Sequence, residues 1–229
     1  MFQDEARFGR MSAPAPCWAP PGVRAIVGLA LVREFVYAYA AASPKDGKLN
    51  TLIASRMNTE TMSRFLAQIA RRHPKEFIIL VLDGAPSHRG KALIVPENMY
   101  LLPLPPYSPE LNPTELLWDD LREKEFANRV FDSLSAATQE LRRGLRRMQR
   151  FPGAIKSLTG WEWIISSVCL LIGISAQLEG KGRPFLLVNP ERRCATGRVP
   201  FFRTGQNFHG TVYGTLTAFW REKRTYGFP

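Results

Sequence analysis

The opening residues MFQDEARFG alternate at a period of two. Phe2, Asp4, Ala6 and Phe8 fall on one face of a strand, and Gln3, Glu5 and Arg7 fall on the other. A turn-rich stretch, SAPAPCWAPPG, follows. REFVYAYAAAS then reads as a strand, PKDGK as a hairpin turn and LNTLIAS as its partner strand. At Asn58 the period changes. Met62, Phe65, Leu66, Ile69 and Ala70 form the stripe of one buried helix face, with Asn58 as its cap and His73-Pro74 as its stop. FIILVLD is a near-continuous apolar run, as suits a central strand covered on both sides. RGKALIV predicts a short helix and MYLLPL a short strand. A helix is expected from Pro113 to about Phe126. Another starts near Ser133 and turns Leu134, Ala137, Leu141, Leu145 and Met148 inward. The order is a three-strand meander, helix, strand, short helix, strand, helix, helix. That predicts an α/β protein with a mixed sheet.

After about Ile164 the pattern changes. From Ser167 onward nine Lys or Arg stand against three Glu, Gly and Pro are frequent, and no period is sustained. Residues 1–164 are expected to form the folded domain, and 165–229 an irregular basic extension.

Composition narrows the function. With 31 Lys plus Arg against 20 Asp plus Glu, the 229-residue chain carries a formal charge of +11, which favours an anionic partner, nucleic acid first. Cys17, Cys169 and Cys194 form no CxxC pair, so neither a zinc site nor a disulfide framework is expected. The longest uncharged stretch, Trp163 to Leu178, is short of the roughly 20 residues a bilayer span needs. The N-terminus has acids where a signal peptide has an apolar run. These features predict a cytoplasmic protein without a membrane partner. No Gly-rich phosphate loop and no GxSxG elbow supports a phosphotransferase or a serine hydrolase.

Three carboxylates stand in unusual settings. Asp83 directly abuts the apolar run Phe77–Leu82, at a strand end where α/β sheets bind ligands. The alternative is an Asx turn with Gly84. Asp4 is the acid on the apolar face of its strand; the alternative is a frayed strand with Asp4 and Glu5 both in water. Glu115 follows the proline-crowded approach LPPYSPELNP. Asn112 as N-cap, Pro113 at the first helical position and Glu115 at N3 would form a capping box, which explains the glutamate's position but not so rigid a lead-in. Asp119 is a rival acid one turn on. Converging from separate elements, two Asp and one Glu could hold a pair of divalent metals through hard oxygen ligands.

FQDEARFGR, LVLDGAPSH and LPPYSPELNPTELLWDDLREK occur in that order. On these motifs the chain resembles the catalytic domain of bacterial insertion-sequence transposases of the mariner-like superfamily, the DDE superfamily endonucleases. The resemblance covers about residues 1–164. It implies a ribonuclease H-like fold, a mixed central sheet flanked by helices. It also implies Asp4, Asp83 and Glu115 as catalytic acids holding two Mg²⁺ or Mn²⁺ ions. The implied reaction is cleavage of transposon ends and strand transfer into target DNA, by proteins that act as dimers or larger assemblies. His88 matches a histidine of the second motif, with an accessory role near the metals or scissile phosphate. The alternative for His88 is a helix-start residue. Trp118 is expected in the core, and Glu5 and Asp119 behind the ligands. Arg142, Arg143, Arg146 and Arg147 are candidate phosphate contacts; the alternative is a solvated helix face.

The family's N-terminal helix-turn-helix domains have no counterpart before Phe2. This departure suggests a truncated transposase, with residues 165–229 as read-through. A catalytically inactive DNA-binding remnant is the second reading.

Overall fold

The computed structural model describes residues 1–166 apart from 13, 91, 106 and 107. Five strands, β1 (Phe2–Met11), β2 (Leu31–Ala42), β3 (Leu49–Ala54), β4 (Ile78–Leu82) and β5 (Met99–Pro103), form one sheet in the order β3-β2-β1-β4-β5. β1 runs antiparallel to β2 and parallel to β4, and β4 runs parallel to β5. The sheet is therefore mixed, with the meander on one side and parallel crossovers on the other, in the arrangement of the ribonuclease H-like fold. Among the described residues the helices include α1 (Thr59–Arg72), α2 (Pro86–Arg89), α3 (Glu115–Leu121), α4 (Leu134–Arg150) and α5 (Pro152–Thr159). No helix among the described residues is long and apolar enough to cross a membrane. The extension expected from residue 165 lies outside the described residues, apart from its first two.

Each face of the sheet has its own core. On one face the α1 stripe of Met62, Phe65, Leu66 and Ile69 packs on Tyr39, Ala41, Leu80 and Leu82. Burying each of those large side chains contributes about 1.5–3 kcal/mol. On the other face Leu117, Trp118, Leu121, Leu141, Leu145 and Met148 cover Ala6, Phe8, Ala38 and Ala40. The β2 alanines let helices from both sides approach closely. At the hairpin, Gly47 has φ 73° and donates to the Ser43 carbonyl at 2.8 Å. A Cβ there would lie 2.1 Å from the Pro152 carbonyl, so the position requires glycine in conformation and in space. The outer edge, β3, is closed by side chains. Gln68 of α1 donates to the Thr51 carbonyl at 2.9 Å, and Gln149 of α4 to that of Leu49 at 3.2 Å. Both would otherwise be open for strand addition.

Three local expectations need correction. RGKALIV is not the short helix; that helix is Pro86–Arg89, which starts earlier because proline fits the first turn. The helix expected from Pro113 begins at Glu115 and ends in a π-helical turn, Arg122–Phe126. The turn buries Glu125 against α4, where Arg147 and Arg143 each meet it at 2.9 Å. The capping box does not form: Thr114 occupies the N-cap position in helical conformation, without a side-chain cap bond. By contrast, Asn58 caps α1 as expected, and Ser133, near which α4 was expected to start, caps that helix, each accepting from a first-turn N–H.

Candidate active site

The approach to Glu115 is stitched to the start of β1. Asn112 donates its amide to the Gln3 carbonyl at 3.0 Å, and the Thr114 hydroxyl donates to the Phe2 carbonyl at 3.0 Å. The Asn112 side-chain oxygen accepts from the Thr114 N–H at 3.2 Å, and the Glu115 N–H donates to the Asn112 carbonyl at 3.2 Å. Asn112 thus organises a turn before α3, and its contact with β1 brings Glu115 beside Asp4. The two acids line the same cleft. The rigid lead-in serves this docking.

Asp4 is 6% exposed. The Trp118 indole, one turn beyond Glu115, donates to its Oδ2 at 2.7 Å. Burial, then the neighbouring Glu115 charge, push the Asp4 carboxyl up to about 8 against the opposing effect of the indole. Burial also raises Glu115; Arg122 opposes, while Asp119 and Asp83 add to the rise. Trp118 is in the core, fully buried as expected, and is also the donor that aims Asp4.

Asp83 follows the last residue of β4. The Ala85 N–H donates to its Oδ1 at 3.0 Å, so the Asx turn does form. His88 lies against the same oxygen, Nδ1 to Oδ1 at 2.9 Å, and its other ring nitrogen is 2.8 Å from Glu5 Oε1. The His88 and Glu5 side chains are 1% and 4% exposed, whereas that of Asp83 is 51% exposed. Burial disfavours the imidazolium most, but the bonds to Asp83 and Glu5 and the Glu5 charge outweigh it and carry His88 up to about 10.

Asp4, Asp83 and Glu115 line one cleft of about 400 Å³, with Gly84, Ser108 and Asn112 among its walls. All three sequence-predicted acids are thus brought together. Their donors are hard carboxylate oxygens, and the upward shifts of Asp4 and Glu115 mark charge repulsion and burial that a divalent cation would relieve. A second set of ligating atoms, on Glu5, Asp83 and His88, lies within 4.8 Å and shares Asp83 with the first. That set is an ion-paired bridge. Each His88 ring nitrogen already faces a carboxylate oxygen of its own, Asp83 for Nδ1 and Glu5 for Nε2. The donor type that suits Mg²⁺ or Mn²⁺, carboxylate oxygen alone, is that of Asp4, Asp83 and Glu115 in the cleft.

The family profile described as "DDE superfamily endonuclease" matches residues 1–137. The chain belongs to the DDE superfamily endonucleases. An uncharacterized protein, y4pE/y4sA of Sinorhizobium fredii (strain NBRC 101917 / NGR234), is 33% identical over 130 residues, 56% of this chain and 96% of that protein. Among solved structures, a Mos1 transposase paired-end complex with left transposon end is similar at 18% identity and TM-score 0.47, covering 69% of this chain. A Mos1 mariner paired-end complex with Mn is similar at 18% identity and TM-score 0.48, covering 70% of this chain. The chain spans 55% of the length of each of those Mos1 chains.

The remaining candidates of this DDE endonuclease separate by what they touch. Arg147 bridges Asp120 and Glu125 at 2.8 and 2.9 Å, and Arg143 meets Glu125 and Glu140. These two arginines tie α4 to the turn after α3. Arg142 and Arg146 are exposed and form no ion pair among the described residues. Asp119 is exposed, pairs with Arg122 at 3.2 Å and does not line the cleft. Glu5 was expected behind the ligands, with solvent as the alternative. Its side chain is buried where it meets His88, whereas Arg7 on the same strand face is exposed.

Proposed function

We propose that this chain is the catalytic domain of a mariner-like transposase, cutting DNA phosphodiesters and transferring the cut strand to target DNA. The observation that carries this reading is the convergence of Asp4, Asp83 and Glu115 on one cleft from β1, the end of β4 and the start of α3. Those three side chains would hold Mg²⁺ or Mn²⁺. Bound there, the metal would supply Lewis-acid stabilisation of the charge that develops on phosphodiester oxygens and activation of the attacking water or 3′-hydroxyl. The protein's own part is positional. β1 and the Trp118 indole hold Asp4, the Asn112 and Thr114 contacts seat Glu115, and the Asx turn holds Asp83. Exposed arginines such as Arg142 and Arg146 would meet the DNA backbone without reading bases.

The test is nicking of supercoiled plasmid by the purified chain in Mg²⁺ or Mn²⁺, beside an Asp83→Asn control. Metal-dependent nicking that the substitution abolishes is the expected result. Salt-sensitive DNA binding that persists in EDTA, without any nicking under either metal, would instead identify a folded DNA-binding remnant.

A further inference from the structure

Asp83 has a problem that Asp4 lacks. It sits beyond the end of its strand, half-exposed, where the turn offers its carboxylate the Ala85 N–H at 3.0 Å. We propose that Glu5 and His88 form a buried strut that holds the Asp83 carboxylate in position for the metal, with His88 as a positioning residue and not a ligand.

The geometry is continuous. Glu5 Oε1 meets His88 Nε2 at 2.8 Å, and His88 Nδ1 meets Asp83 Oδ1 at 2.9 Å. Nδ1 also lies 3.2 Å from the Asp83 backbone carbonyl, so the ring grips the residue at two points. Both ends of the ring face carboxylate oxygens. The ring is almost wholly buried and has no room to rotate away. Glu5 follows Asp4 on β1 and points to the opposite face of the sheet. One strand therefore fixes two of the three acids, Asp4 directly and Asp83 through the ring. Partners behind a ligand that lock its orientation commonly change metal affinity 10- to 100-fold when removed.

This inference rests on the reading of Asp83 as a metal ligand, and the experiment separates the two. The full chain is titrated with Mn²⁺, and free ion is followed by electron paramagnetic resonance. Asp83→Asn should abolish binding; unchanged affinity there would overturn the ligand reading itself. His88→Ala should weaken binding about 10- to 100-fold. Added imidazole should restore most of the loss in His88→Ala and none in Asp83→Asn. Glu5→Gln keeps the shape, removes the charge that holds the ring, and should weaken binding by a smaller factor. In the double variant, Glu5→Gln should add little to His88→Ala, because the two act through one chain of contacts. Wild-type affinity in both single variants, with Asp83→Asn dead, would overturn the strut and leave the ligand reading standing. Complete loss in His88→Ala without imidazole rescue would make His88 a ligand and equally overturn it. If His88→Ala fails to fold, the isosteric Glu5→Gln decides: wild-type Mn²⁺ affinity there overturns the strut.

Discussion

Asp4 and Asp83 face the same cleft but are held by opposite means. Asp4 belongs to a central strand, is buried, and takes a neutral indole donor from the helix that also carries Glu115. Asp83 belongs to a turn, is half-exposed, and takes a charged ring backed by a second acid. The ladder with β2 fixes the backbone at Asp4, so one donor suffices for aim. A turn lacks that restraint and needs charge-assisted contacts, which are roughly twice as strong as neutral ones. The cost appears in protonation. Burial and the neighbouring Glu115 charge leave Asp4 shifted up to about 8, a state that a bound cation would reverse.

The largest test of this contrast is removal of either carboxylate. Asp4→Asn and Asp83→Asn should each lower metal-dependent nicking by about 10³-fold or more, as expected when several kcal/mol of charge stabilisation are lost. Plasmid nicking rates measure it, and near-wild-type rates in either variant would remove that acid from the site.

Next is the indole. Trp118→Phe keeps most of the buried ring but leaves the Asp4 oxygen without its donor, and should destabilise the fold by about 2 kcal/mol. Urea unfolding reads this directly. A change below a few tenths of a kcal/mol would mean that the 2.7 Å contact has no net worth.

The protonation difference is testable in EDTA. The folded value for Asp4, about 8, lies above the ordinary 3.8, so across that window the folded chain keeps a proton that the unfolded chain has lost. Its contribution to stability is fully present below about pH 4 and declines as pH rises towards 8. Urea midpoints should follow that slope, and Asp4→Asn should flatten it. An identical slope in the variant would place the titration elsewhere.

The smallest effect separates the two anchors of Asp83. Ala85 has φ −55°, which suits proline, and its N–H donates to Asp83 Oδ1 at 3.0 Å. Ala85→Pro should therefore remove one bond without backbone strain, costing about 1 kcal/mol of stability. It should weaken Mn²⁺ less than His88→Ala does. The reverse order would make the turn, and not the ring, the main anchor.

Much of this was legible in the chain. The change of period from two to 3.6 located α1, the apolar run located β4, and the motif order placed Asp4, Asp83 and Glu115 in one site. Local patterns carry such information because propensity, capping and burial act over a few residues. The α2 position and the start of α3 were misread because two nearby proline and polar positions each offer a plausible start, and contacts with distant strands choose between them. For Glu5 two readings stayed open, behind the ligands or in water, because a strand's alternation cannot say whether its second face is covered; the contact with His88 decides for the first.

The sequence by itself determined the element order, the two amphipathic helices, the three acids and the basic balance, all properties of residue type and short spacing. Only the tertiary structure decided that Asn112 and Thr114 dock on β1, that Trp118 aims Asp4 and that Glu5 reaches Asp83 through His88. Those pairs are separated by 83 to 114 positions along the chain or share a third residue. Such contacts exist only once the sheet has set which strand is central and which faces are buried.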